Sequence, residues 1–141
     1  MFGAMDLLIK RLMHLTVPLC LALCLMLTAC SGSAQAGLSG NYVDDTVAVA
    51  RTLQETIAMP QDDERHAEAQ SEARAMINAY TARYRPRDNV NNLSSFTTMQ
   101  TAVNALVGHY NNYANRPLPE ALQERLSKEL TKAERSALRG S

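Results

Sequence analysis

Residues 94–113 read SSFTTMQTAVNALVGHYNNY, and this stretch decides the fold class. Its large apolar residues recur at alternating steps of three and four, which is the period of one face of an α-helix. They are Phe96, Met99, Val103, Leu106, Tyr110 and Tyr113. The stretch contains no Asp, Glu, Lys or Arg. Either neighbouring helices cover its outer face or that face meets another protein, because loss of charge is typical of the centre of an interface.

Three further segments carry the same helical period. Their apolar positions are Val43, Thr46, Ala50, Leu53 and Ile57; Ala69, Ala73, Ile77, Tyr80 and Tyr84; and Leu122, Leu126, Leu130, Ala133 and Ala137. We expect the first to end at Pro60, the second to run from residues 62–64 to Pro86, and the last to begin with Pro119 at its first helical position. Four helices with short connections predict an all-α, up-down-up-down antiparallel four-helix bundle.

In such a bundle the charged residues near the helix ends collect at two poles. The basic pole holds Arg83, Arg85, Arg87, Arg135 and Arg139; the acidic pole holds Glu55, Asp62, Asp63 and Glu64. Arginines at the carboxyl ends of helices also complement the helix dipole, which is an alternative explanation for Arg83, Arg85 and Arg139. The acidic pole could attract a cation weakly, although consecutive residues at a helix start do not converge into an ion site.

The start of the chain has the pattern of a bacterial lipoprotein. A basic pair at residues 10 and 11 precedes the apolar run 15–27, which is typical of a signal peptide and too short to span a bilayer. The lipobox that follows is formed by Leu27, Thr28, Ala29 and Cys30. We expect residues 1–29 to be the signal peptide, 30–40 the lipidated Cys30 with a flexible tether, and 41–141 the bundle. The alternative is an ordinary secretory peptide with an accidental cysteine.

The sequence carries no recognisable catalytic constellation. Basic and acidic residues balance at 14 each, whereas nucleic-acid binders show a basic excess. His66 and His109 lie on different predicted helices and lack the Glu-x-x-His pattern of metal sites in bundles. Cys20 and Cys24 fall inside the signal peptide, so only Cys30 would remain after cleavage. We therefore predict a protein that is not an enzyme and that binds no cofactor, no metal and no nucleic acid. We also expect it to be a monomer.

Several strings in this chain are specific to one family. They are residues 38–42 (LSGNY), 72–74 (EAR), 83–85 (RYR), 95–102 (SFTTMQTA), 116–120 (RPLPE) and 133–135 (AER). With the lipobox, they resemble the photosystem II assembly lipoproteins of cyanobacteria over the whole mature domain. The loop after Pro86 and the pair Asn111 and Asn112 depart from that pattern.

The resemblance implies a four-helix bundle that is lipid-anchored on the luminal side of the thylakoid membrane. It implies an assembly and repair factor that binds photosystem II transiently, through the luminal loop of the chlorophyll-binding inner antenna subunit. Binding would come before and during maturation of the oxygen-evolving manganese cluster. For the contact residues we favour Arg83, Arg85 and Arg87, with Arg116 at the opposite pole as the alternative. Two other functions stay open, a scaffold for another envelope complex and a carrier of a ligand or metal in the bundle core.

Overall fold

The computed structural model describes residues 37–113 and 116–140. They form α1 Tyr42–Ala58, α2 His66–Tyr84, α3 Asp88–Asn91, α4 Ser94–Asn112 and α5 Glu120–Leu138. No strand occurs in these two ranges, and the all-α prediction is confirmed. Within them, no helix combines the length and the apolar character that a membrane crossing requires. The predicted signal peptide and the tether as far as residue 36 lie outside the described residues.

Local hydrogen bonds decide where the first two helices begin. Oδ1 of Asn41 accepts the backbone N–H groups of Val43 at 2.9 Å and Asp44 at 3.3 Å, two of the donors that a helix start leaves unpaired. The predicted start of α2 is wrong, because residues 60–65 form turns and the helix begins at His66. In these turns the Asp63 carboxylate accepts the N–H of Arg65 at 2.9 Å, a local bond that competes with helix formation.

Two details near prolines also differ from the prediction. After Pro86 the chain forms the single turn α3, which is too short to show a helical period in the sequence. Its one buried side chain, Val90, is 3% exposed and joins the core. Pro119 precedes α5 as its N-cap residue and does not occupy the first helical position.

The contacts between side chains show how the long helices run. Arg51 and Gln54 of α1 bond to Glu134 and Thr131 of α5, so these two helices are antiparallel. Thr46 near the start of α1 hydrogen-bonds to Tyr80 near the end of α2, so these two helices are also antiparallel. Thr81 of α2 hydrogen-bonds to Gln100 in the first half of α4, which shows the same arrangement for α2 and α4. α1 thus lies between α2 and α5, and α4 packs closely on α5 and loosely on α2. The starts of α1 and α4 and the ends of α2 and α5 share the basic pole.

The core consists mostly of the predicted apolar stripes. Its largest fully buried apolar side chains are Val49, Leu53, Tyr80, Tyr84, Met99, Leu106, Leu126 and Leu130. Three stripe residues, Val43, Ala69 and Leu122, are only partly buried. Tyr113 is 50% exposed, because it lies one residue beyond α4 and no longer follows the helical phase.

Candidate functional site

Arg83, Arg85 and Arg87 lie at the end of α2 and in the turn that follows. Arg85 and Arg87 are exposed, and Arg83 is partly buried. Cζ of Arg87 lies 4.9 Å from the centre of the Tyr84 ring, where a guanidinium is attracted to the ring face. Within the described part of the chain, none of the three forms an ion pair with a carboxylate. Their guanidinium groups can therefore pair with carboxylates of another molecule.

The structure brings the five arginines of the basic pole to the same end of the bundle, but at different corners. Arg135 lies on α5 and Arg139 directly after it, and α5 contacts α1 and α4, whereas Arg83 and Arg85 lie on or just after α2. Nη2 of Arg139 donates to Oγ of Ser136 at 3.2 Å. The basic pole is thus an end face with two separate groups of cations.

Arg116 lies at the opposite end of the molecule, near the end of α4. Its guanidinium carbon is 5.8 Å from the centre of the exposed Tyr113 ring. Its carbonyl oxygen lies 3.3 Å from Nε2 of the buried His109. The structure therefore does not bring Arg116 together with the other three candidate contact residues.

A buried carboxylate at the basic pole is a feature that the sequence interpretation missed. Asp45 is 1% exposed, and its Oδ1 accepts the N–H and the hydroxyl of Ser39 at 2.6 and 2.7 Å. Its Oδ2 accepts the N–H of Gly40 at 3.0 Å and the hydroxyl of Tyr84 at 2.5 Å. We call this group, Ser39, Gly40, Asp45 and Tyr84, the Asp45 clamp. It ties the segment before α1 to both α1 and α2.

The hydrogen bonds of the clamp determine its charge state. Burial alone would raise the pKa of Asp45, but the bonds from Tyr84, Ser39 and Gly40 outweigh burial and lower it. Burial and the adjacent carboxylate raise the pKa of Tyr84. Asp45 is therefore ionised and Tyr84 neutral at neutral pH. The sequence held one signal for this position, because Asp45 precedes Val49 and Leu53 by four and eight residues and shares their inner face.

Loose packing between α2 and α4 leaves a groove of about 500 Å³. Apolar side chains and uncharged amides and hydroxyls line it, and its one cation is Arg85. On the outer face of α4, Thr97, Thr101 and Asn104 are exposed, so neighbouring helices do not cover them. The other interpretation of this charge-free face, contact with a second protein, stays a prediction.

The acidic pole contains turns and exposed side chains. Glu55, Asp62 and Glu64 are exposed, and Asp63 pairs with Arg65 at 3.3 Å. Hydrogen bonds from Arg65 lower the pKa of Asp63. Across residues 37–113 and 116–140, no three His, Cys, Asp or Glu side chains are grouped so that they could hold a metal ion. The predicted lipobox, Leu27 to Cys30, lies outside the described residues.

Comparison with known proteins identifies the family. The family model described as Photosystem II Pbs27 matches residues 11–137. The chain is 46% identical to the photosystem II lipoprotein Psb27 of Synechocystis sp., over 94% of this chain and 97% of that protein. It is also 46% identical to the photosystem II assembly factor lipoprotein Psb27 of Thermosynechococcus vestitus, over 89% and 92%.

A solved structure agrees with these matches. The solution structure of Psb27 from cyanobacterial photosystem II superposes with a TM-score of 0.72 at 49% identity, covering 78% of this chain and 96% of that one. Sequence and fold therefore point to the same family, and the chain belongs to the photosystem II Psb27 family.

Proposed function

We propose that this protein is a non-catalytic assembly and repair factor that binds photosystem II transiently on its luminal side. The observation that carries this proposal is the family match over residues 11–137, together with relatives named as a lipoprotein and an assembly factor of photosystem II. In this proposal the partner surface is the luminal loop of the inner antenna subunit, and binding comes before and during maturation of the manganese cluster.

The basic pole supports a protein-binding role. Arg85 and Arg87 are exposed, without an ion pair in the described chain, and the Tyr84 ring holds the guanidinium of Arg87 in place. A guanidinium that is already positioned can bind a partner carboxylate bidentately with little further ordering. We therefore propose Arg83, Arg85 and Arg87 as the contact residues, with Arg116 as the alternative.

The proposal also includes the anchor. Cys30 would carry the lipid and hold the domain at the luminal face of the thylakoid membrane, where the luminal loop of the antenna subunit is within reach. The described bundle would then act as a monomer tethered beside its partner.

Co-purification from a cyanobacterium tests this function. A carboxyl-terminal tag on the full chain should retrieve photosystem II intermediates that contain the inner antenna subunit and lack oxygen evolution. Mature oxygen-evolving complexes from the same cells should not carry the tagged protein. An untagged strain is the control for nonspecific retention. Repeated purification without any antenna subunit, or with a different envelope complex, would contradict the proposal.

A further inference from the structure

Three cations follow one another along one face of α5 and its carboxyl-terminal cap, and we call them the basic stripe: Lys132, Arg135 and the cap residue Arg139. They follow one another at steps of three and four, so they point to the same side of the helix, and all three are exposed. Within the described chain none of them pairs with a carboxylate. By contrast, Arg125 and Lys128 of the same helix pair with Glu129 and Glu124.

The helix dipole explains only part of the basic stripe. Arg135 and Arg139 lie at the last turn, where cations complement the dipole, but Lys132 lies six residues before the end of α5 at Leu138. Leu138, which directly precedes Arg139, has an apolar side chain and is 62% exposed. On a lipid surface, the cations can pair with anionic headgroups while the Leu138 side chain enters the layer below them.

The position of the basic stripe relative to the tether favours a membrane as its partner. α1 begins at the same pole, and the Asp45 clamp fixes Ser39 and Gly40 there. Cys30 precedes Leu38 by eight residues, and a chain of that length spans at most about 28 Å. The basic pole must therefore stay close to the bilayer if Cys30 carries the proposed lipid.

We propose that Lys132, Arg135 and Arg139, with Leu138, dock the basic pole on the anionic lipid headgroups of the bilayer that holds Cys30. This inference rests on the proposed anchor. The charges along α5 favour one orientation, because Glu120 and Glu124 at its other end are repelled by the same surface. The basic stripe would hold the bundle with its basic pole toward the bilayer. The cations on the α2 side, Arg85 and Arg87, would stay available for the protein partner.

Vesicle binding by the lipid-free domain tests the docking surface without the anchor. The buried core residues lie within the described residues, and the solution structure of the related Psb27 covers 78% of this chain, so we expect the chain from residue 31 onward to fold by itself. It should sediment with vesicles of equal parts phosphatidylglycerol and phosphatidylcholine and not with phosphatidylcholine alone. Changing Lys132, Arg135 and Arg139 to Gln should weaken binding to the anionic vesicles roughly 100-fold, since each cation contributes about fivefold.

A matched control removes three other cations. Arg51, Arg65 and Arg125 each have a carboxylate partner, so changing them to Gln alters the net charge equally but should weaken vesicle binding less than about threefold. Equal losses in the two triple variants, or no preference for anionic vesicles, would overturn the proposal. The proposal would also be overturned if the basic stripe bound a polyglutamate peptide but did not bind anionic vesicles. None of these outcomes affects the anchor, which the Cys30 variant below tests separately.

Discussion

At the scale of single residues, Asp45 links three parts of the basic pole: the segment before α1, α1 itself and α2. One carboxylate accepts hydrogen bonds from two backbone N–H groups and two hydroxyls, and it is closed off from solvent. Gly40 is fitted to the same arrangement, because its φ of +93° is in the left-handed region and a Cβ there would lie 2.9 Å from Nη1 of Arg83. The segment before α1 is thus fixed by side chains whose roles a helical period does not reveal.

Asp45→Asn should lower the free energy of unfolding by roughly 2–3 kcal/mol at pH 7, because an amide cannot accept all four donors and loses the charge. Asp44→Asn is the control, since Asp44 is exposed and its loss should cost less than about 0.5 kcal/mol. Denaturant titration measures both. Equal stability of the two variants would contradict the role of the Asp45 clamp.

The difference between wild type and Asp45→Asn should also depend on pH. The folded protein lowers the pKa of Asp45 below its ordinary value of 3.8, so the carboxylate stabilises the fold fully above that value. This contribution is lost as the pH falls through the lowered pKa. We expect a constant difference from pH 7 to 5 and a shrinking one below about pH 4. A difference that already shrinks between pH 7 and 5 would mean that the clamp does not favour the ionised form.

At the scale of the helices, the sequence predicts the long helices, which periodicity and prolines define. It misses the helix starts and short turns that local hydrogen bonds define. The apolar stripe from Phe96 to Tyr110 identifies α4, because apolar side chains at alternating steps of three and four residues dominate the packing of this helix. The start of α2 is missed because the carboxylate of Asp63 bonds within a turn, and α3 is missed because one turn has no period. Asp45 is missed because a carboxylate in a first turn normally faces water, although its helical phase with Val49 and Leu53 places it on the inner face.

Leu106→Ala tests the register of α4. Leu106 is 1% exposed in the centre of the core, so truncation should lower the free energy of unfolding by roughly 2–5 kcal/mol through lost transfer energy and a cavity. Thr101→Ala, on the exposed face of the same helix, should change it by less than about 0.5 kcal/mol. A loss below about 1 kcal/mol for Leu106→Ala would show that this side chain is not buried in solution.

The end of α2 and the turn after it can be tested by reversing charge. Changing Arg85 and Arg87 to Glu should slow association with photosystem II intermediates roughly tenfold and reduce its salt dependence. The melting temperature should change little, because both side chains are exposed and only the contact of Arg87 with Tyr84 is lost. Arg116→Glu is the comparison. If that change weakens binding and the double change does not, the contact lies at Arg116.

At the scale of the whole molecule, the proposed lipid anchor and the proposed docking surface of the bundle can be tested separately. Cys30→Ser should release the protein from membranes, because stable anchoring needs more than one acyl chain on that cysteine. Membranes from a strain without photosystem II, washed at about 1 M salt to screen the basic stripe, give the measurement. Wild-type protein should stay in the pellet after this wash. Mutant protein that also stays there would contradict anchoring through Cys30.

The Asp45 clamp also has a mechanical consequence. A pull on the chain ahead of Ser39 does not reach the first turn of α1 alone, because Ser39 and Gly40 are bonded to a carboxylate that Tyr84 of α2 also holds. The load is therefore divided between two helices and crosses several hydrogen bonds at once. Under tension these bonds must break together, so α1 resists being peeled away from its end. If Cys30 carries the proposed lipid, a force that arrives through the tether therefore acts on the bundle as a whole and not on α1 alone.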